Sequence, residues 1–414
     1  MKTLVGFISK VIKKIFDYTK NHQMLVVVCL IILFAFILRA WNILNLPKAF
    51  SAHEINILSQ IKYLDNHGWI IQSQDIFQAL YLYFMGLWIH LFGLNFLLLK
   101  IIQVLLGTFT VYLFYLFTKE WFNKQIALLA SLFLAVDAFH IAVSREIEPA
   151  ILVPLILVLM LYVITLALRN NRYIWFALSG ILVGLALYVS QIFFFLPIVF
   201  LLSFVVFFRK NKKIFTAYWK KYLLAAVFFF LAATPFIIYL PQNIAKIFDS
   251  FNPGSFGQYF MNIGTIVQSL LYQSIPAQLY YVGLEPILNP FVAIAFLCGL
   301  IYAIFHIERR KYFFVVILLT VLTVIIGFMP TQMSINYIIL LPVCFILASI
   351  ILDYFLTTWL KTFPFNRSAR MVLAFLLSFL LFLTVYYNYQ KYFYAWGKNE
   401  KVQSQFTNTF DYKQ

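Results

Sequence analysis

The chain has 414 residues, of which 64% are hydrophobic and 11% charged, with 31 Lys and Arg against 14 Asp and Glu and a net charge of +17. Soluble domains are about 45–50% apolar and about 25% charged, so one water-soluble core cannot hide this surface, and the apolar load also excludes a disordered chain. Basic charge of this size suggests nucleic acid, but here it falls in short clusters between apolar runs, which is the pattern of a polytopic membrane protein with no nucleic-acid partner.

Residues 1–23 form a basic N-terminus, read as cytoplasmic. The apolar run 24–41 has no small-residue cleavage site behind it, so it is expected as a retained first helix. A spanning helix needs ~20 mostly apolar residues. Runs that qualify are 24–41, 96–117, 126–143, 150–168, 173–190, 191–208, 222–240, 286–306, 312–329, 335–357 and 371–388, about 11 spans in a transmembrane domain over 24–388. Segment 77–93 is long enough to cross, yet carries Gln78, His90, Tyr81 and Trp88. The positive-inside rule decides its status. If it does not cross, 21 basic residues lie inside and 10 outside; if it does, the split is 12 against 19. Segment 77–93 is therefore expected to lie in the outer interface, with the N-terminus inside and the C-terminus outside. Two outer loops follow, 42–95 with amphipathic helices and 241–285, which is rich in Asn, Gln, Gly and Ser. The tail 389–414 is polar and is expected to be loosely ordered outside the membrane. The fold class is all-α, a polytopic helix bundle.

Acids gather where the bases are scarce, so the outer face is where chemistry is expected. Ser51 and Glu54 match the S-x-x-E capping box, and Ile57, Leu58, Ile61 and Leu64 share one face of the helix behind it. Capping alone explains Glu54; the other reading aims Glu54 and His53 into a cavity at the outer face. The turn Ser144-Arg145-Glu146-Ile147-Glu148-Pro149 is similar in kind. Pro149 suits a first helical position and Glu148 the positive end of the next helix, while a carboxylate beside an arginine also suits a phosphate-bearing lipid. Asp137 and His140 lie three apart and can pair. Ionisable groups within a membrane are functional by default, and a structural polar pair is the other reading. Cys29, Cys298 and Cys344 are odd in number and lack metal spacing, so no disulfide framework or zinc site is expected.

Several stretches in order resemble the GT-C glycosyltransferases, in particular the protein O-mannosyltransferase and aminoarabinose transferase branch. They are LRAWNILNLPKAFSAHE, YLYFMGLWIHLFGLNFLLLKIIQVLLGT, LFTKEWFNKQIALLASLFLAVDAFHIAVSREIEPAIL and INYIILLPVCFILASIIL. The family's orientation agrees with the charge count. The resemblance implies an integral, multi-pass protein of a prokaryotic plasma membrane with its active face extracytoplasmic. It implies a polyprenyl-phosphate sugar as donor and a protein, lipid or glycan as acceptor. The family's first-loop acid pair is usually Asp-Glu; here it is His53-Glu54, so either residue can take the base role. The second family acid matches Glu148. The late Arg-Tyr is Asn336-Tyr337, and the Pro-Pro-Leu stretch is replaced by DIFQALYLY, with Asp75 close by.

In such a reaction a base helps the acceptor hydroxyl attack sugar C1 while the lipid phosphate leaves, and a histidine titrating near ~6.5 is competent for it. The leaving phosphate needs a cation. Arg145 is the first choice, with Lys48, Lys62 and Lys246 as other outer-side candidates and Glu146, Asp75, Asp137 and His140 as further lining. A divalent cation, Mg or Mn, could be held by Glu54 and Glu148 with His53, although no spacing demands one. The alternatives are a non-catalytic scaffold of the same fold, and a lipid or solute transporter, for which inverted repeats would be expected.

Overall fold

The computed structural model describes residues 23–66, 76–195, 197, 212–273 and 285–406, and the described residues contain helices and no strand. In chain order the helices are α1 (Gln23–Ala40), α2 (Ala52–Asn66), α3 (Ala79–Phe92), α4 (Phe96–Trp121), α5 (Lys124–Val136), α6 (Ala138–Val143), α7 (Leu152–Asn170) and α8 (Tyr173–Ala186). They continue as α9 (Lys212–Ser250), α10 (Phe256–Leu271), α11 (Pro290–Phe305), α12 (Arg310–Gly327), α13 (Leu341–Thr362), α14 (Arg367–Tyr389) and α15 (Glu400–Gln403). Among the described residues, seven helices are long and apolar enough to cross a membrane, and four shorter apolar helices accompany them. The molecule is a multi-pass membrane helix bundle. Its centre is α13, whose stretch from Cys344 to Ile350 is buried throughout. Exposed Leu25, Leu30, Leu33 and Ile37 on α1, and Phe375, Phe379 and Phe382 on α14, form lipid-facing stripes.

Both ends of α3 are tied to one end of the bundle. The Leu80 N–H donates to the Tyr188 carbonyl, just beyond the end of α8, at 3.1 Å. Near its other end, Trp88 Nε1 donates to Leu98 O, in the first turn of α4, at 3.3 Å. The α4 start also meets the first turn of α2, where Lys100 reaches Glu54. Both ends of α3 are thus held near the start of α4 and the end of α8.

Several boundaries differ from expectation. Run 126–143 is broken at Asp137, whose side chain accepts the His140 N–H at 2.8 Å and so caps α6. Aspartate competes for backbone donors in this way and favours caps over helix interiors. Run 335–357 starts as a 3-10 stretch over Thr331–Leu340, with Pro342 in the first turn of α13. Of run 191–208, Gln191–Phe194 is a 3-10 turn and most of the rest lies outside the described residues. Segment 241–285, expected as a loop, is helical over its first ten residues as the end of α9, and again in α10. Helix α9 contains Pro235 and Pro241. Proline lacks the N–H that helices need, and the Tyr188 hydroxyl patches the ladder there. It accepts from Phe236 N at 2.8 Å and donates to Ala232 O at 3.1 Å.

The tail also differs. Gln390–Trp396 is a π-helical turn, and Tyr392 and Trp396 stack at 4.9 Å and are fully buried. Phe406 closes on Trp396 at 5.6 Å. Three aromatic rings in a polar stretch bury enough apolar area to order it.

Close helix approach depends on glycines at several contacts, Gly299 and Gly107 among them. A Cβ at Gly299 of α11 would sit 1.9 Å from the Leu347 carbonyl oxygen of α13. A Cβ at Gly107 of α4 would sit 2.4 Å from Ser144 Cβ and 3.1 Å from Arg39 Nε. Small residues at such crossings let backbones meet. Gly107→Ala should therefore destabilise the protein by about 1–3 kcal/mol, read as a lower thermal midpoint in detergent.

Candidate functional site

The site is assembled where α1 ends, α2 and α4 begin, and the 137–151 segment turns. Two arginines fix this junction by capping helix ends. The last carbonyls of a helix have no partner within it, and they lie at its negative pole. Arg145 supplies those of α1. Its Nη1 donates to Leu38 O (3.3 Å), Arg39 O (2.9 Å) and Trp41 O (2.7 Å), and its Nη2 to Leu46 O (2.7 Å). Its guanidinium also lies 5.4 Å from the Tyr392 ring centre and 5.5 Å from that of Phe393. Arg39 does the same for α5, donating to Leu134 O (3.2 Å) and Ala135 O (2.8 Å). Arg39 Nη2 lies 2.8 Å from His140 Nδ1. Arginine keeps its protons, so His140 accepts there and carries its own proton on Nε2.

The first pair of opposite charges lies beneath the surface. The capping box forms as expected, with Ser51 N–H donating to Glu54 Oε2 at 2.9 Å and Glu54 N–H donating to Ser51 Oγ at 3.2 Å. Glu54 Oε1 accepts from Lys100 Nζ at 2.5 Å and from Ile147 N at 2.8 Å. Both charged side chains are fully buried.

The second pair is at the surface. His53 Nε2 lies 2.9 Å from Glu148 Oε2, with the His53 side chain 45% exposed and that of Glu148 8% exposed. Glu148 Oε1 also accepts the Ala150 N–H at 3.1 Å, and Pro149 opens the turn that follows. The hydrogen bond to Glu148 raises the His53 pKa above its ordinary value, partial burial works against this, and the charges of Glu148 and Glu54 add to the rise. A raised histidine pKa means that the pairing supports folding fully below the ordinary value of ~6.5 and is lost as pH rises through the raised one. The Ile147 N–H bond places Glu148 one residue from Glu54's partner, so the two pairs are neighbours along two adjoining chain segments.

The remaining candidates are dispersed. Glu146 is fully buried beside the Arg145 and Tyr392 layer. Asp137 caps α6 rather than pairing with the His140 side chain, which is turned to Arg39. Lys48 is exposed on the loop before Ser51, and Lys62 is half-buried on α2. Asp75 lies outside the described residues, as does the side chain of Lys246. Asn336 is buried, with its amide 3.8 Å from Met329 Sδ. Arg145, first choice for the leaving phosphate, has both terminal nitrogens committed to main-chain carbonyls. Lys100 and Arg39 carry no motif and received no role from the sequence; the available signal was a charge inside an apolar run. A cavity of about 330 Å³ is lined by Glu285, Tyr387, Gln390, Lys391, Tyr394 and Ala395, and neither His53 nor Glu148 is among them.

Mg or Mn does not fit the acids proposed for it. Among the described residues no three His, Cys, Asp or Glu side chains converge to hold a metal ion. Glu54 already accepts an ammonium and two backbone N–H groups, and Glu148 accepts His53 and a backbone N–H.

The all-helical membrane bundle, with Glu54 in the first turn of α2 and Glu148 on the turn before α7, is similar in fold to solved membrane glycosyltransferases. A family model described as dolichyl-phosphate-mannose-protein mannosyltransferase matches residues 79–239. No curated protein matches the chain by sequence. The oligosaccharyltransferase of Archaeoglobus fulgidus in complex with Zn and sulfate superposes with a TM-score of 0.60 at 14% identity, covering 90% of this chain and 54% of that one. AglB of the same archaeon, in complex with an inhibitory peptide and a dolichol-phosphate, gives 0.58 at 14% identity, covering 92% and 57%. ArnT from Cupriavidus metallidurans bound to undecaprenyl phosphate gives 0.53 at 14% identity, covering 93% and 76%. The chain thus spans little more than half the length of the archaeal enzymes, and the likeness is one of fold.

Proposed function

We propose that this protein moves a sugar from a polyprenyl-phosphate donor to an acceptor hydroxyl at the extracytoplasmic face, with His53 as the general base. The observation that carries this is the His53–Glu148 pair at 2.9 Å, with the histidine half-exposed and the carboxylate buried behind it. That is the arrangement of a base and its orienter. Neutral His53 takes the acceptor proton as the oxygen attacks C1, and Glu148 stabilises the imidazolium that results. Glu54 is a positioning residue: it anchors the start of α2 and the Ile147 backbone, and so sets the distance between His53 and Glu148. Lys48, exposed five residues before His53, is the cation assigned to the departing phosphate. The donor's tail lies in the bilayer, so the chain needs no soluble nucleotide-sugar domain. The lipid phosphates in the two related structures support this donor class, and the partial family match supports the mannosyltransferase-type branch.

The test is to reconstitute the full chain with a panel of undecaprenyl-phosphate sugars and measure release of undecaprenyl phosphate, alongside mass spectrometry of copurified lipid. Release that falls but stays measurable in Glu148→Gln supports the reading. Retention of every donor, with no lipid-phosphate sugar copurifying, would sink it. Lys48→Ala should raise the donor KM roughly tenfold, the equivalent of about 1.4 kcal/mol, with a smaller change in kcat.

A further inference from the structure

Glu54 is neutralised by a cation that belongs to the chain. Lys100 reaches it from the second turn of α4, and no part of either side chain is exposed. The ammonium is also faced by the Phe50 ring at 5.7 Å and the Phe96 ring at 5.4 Å. Near a helix start a lysine is opposed by the macrodipole, and burying it alone is strongly unfavourable. Its presence there requires a carboxylate, and Glu54 is the one within reach. Seen from Glu54, Oε1 holds Lys100 and the Ile147 N–H, and Oε2 holds the Ser51 N–H. A hard divalent cation wants six or more oxygens around it, whereas these positions are filled by donors. The two carboxylates, Lys100 and His53 sum to zero with His53 protonated and to −1 with it neutral. A divalent ion added to that set would leave a net positive charge in either state, beside a fully buried ion pair.

We propose that Lys100 is a built-in counter-ion standing where a divalent metal would otherwise neutralise Glu54, so that the site assembles without a metal; that the site is used for sugar transfer rests on the function proposed above. Lys100 is then a positioning residue. It holds Glu54 in place, and through Glu54 it holds the Ile147–Glu148 backbone against which His53 is oriented.

The experiment uses the full chain in detergent, washed with EDTA and titrated with Mn²⁺ alone. Bound Mn²⁺ is read by electron paramagnetic resonance, and stability by the thermal midpoint. The wild type should show no bound Mn²⁺ signal and the same midpoint in EDTA and in Mn²⁺. Lys100→Met should lower the midpoint by roughly 5–10 °C, because it strands a buried carboxylate. Mn²⁺ should then bind and recover part of the loss. The double variant Lys100→Met/Glu54→Gln removes both charges, so it should regain most of the midpoint and bind no Mn²⁺. The proposal is overturned if the wild type binds Mn²⁺ in a way that Glu54→Gln abolishes. It is also overturned if a folded Lys100→Met variant keeps the wild-type midpoint or takes up no Mn²⁺. Should Lys100→Met fail to accumulate, the wild type and the double variant decide. A double variant as unstable as the single one would mean that Lys100 acts through packing rather than charge. No donor enters these measurements, so their outcome is independent of whether the chain transfers sugar.

Discussion

His53→Ala should lower sugar transfer by about 10²–10⁴-fold, the usual worth of a positioned base, while leaving the thermal midpoint nearly unchanged. The side chain is half-exposed and its loss opens no cavity in the core. The pH profile separates this from a general weakening of the site. In the mechanism proposed above transfer needs neutral His53, so the rate should rise with pH, with a midpoint above the ordinary histidine value of ~6.5 because Glu148 favours the protonated ring. In Glu148→Gln that midpoint should move down, since the leading cause of the rise is removed. A midpoint unmoved by Glu148→Gln would take the base role away from His53. Glu54→Gln should behave differently. It breaks a fully buried ion pair, so its effect should appear first as lost stability, with activity falling in proportion to the folded protein.

The second large effect is expected at Arg145. Arg145→Met preserves much of the volume stacked on Tyr392 and Phe393 but strands the carbonyls of Leu38, Arg39, Trp41 and Leu46. Leaving a buried acceptor unsatisfied costs about 1–3 kcal/mol. Because some of these groups can find other donors, a net loss of roughly 3 kcal/mol or more is expected. It would be measured as a lower thermal midpoint and reduced yield from the membrane. If Arg145→Met were as stable as wild type yet had lost donor affinity, the arginine would serve the lipid phosphate and the helix-capping account would fail.

The fold was legible in the sequence where its signals are local or additive. Apolar runs located most of the helices, and the distribution of Lys and Arg led to the expectation that 77–93 stays at one face. In the structure α3 is tied to Tyr188 and Leu98. Capping motifs were equally readable, because Ser51 with Glu54 and Glu148 with Pro149 act over two or three residues. The non-local pairs were hidden. Lys100 is 46 residues from Glu54 and sits in the apolar stretch FLLLKIIQ, where hydropathy treats it as one charge in a span. Arg39 and Arg145 each reach across the chain to carbonyls, which leave no trace in side-chain spacing. The aromatic residues of 389–406 were outweighed by their polar neighbours, yet their rings order that segment. His53 and Glu148 could each be named, but the 2.9 Å contact between them is set by α2 and the 144–149 turn together.

The crossed capping of two helix ends has a consequence for engineering. Arg39 of α1 closes α5, and Arg145 from the turn beyond α6 closes α1. Each segment thus carries the other's terminator. A graft that transplants the loop 42–66 alone into a related scaffold would separate it from Arg145. A graft of the 137–149 turn alone would bring a guanidinium with no helix end to close. The exchangeable structural module is the pair, residues 35–66 together with 134–149, moved as a two-piece cassette.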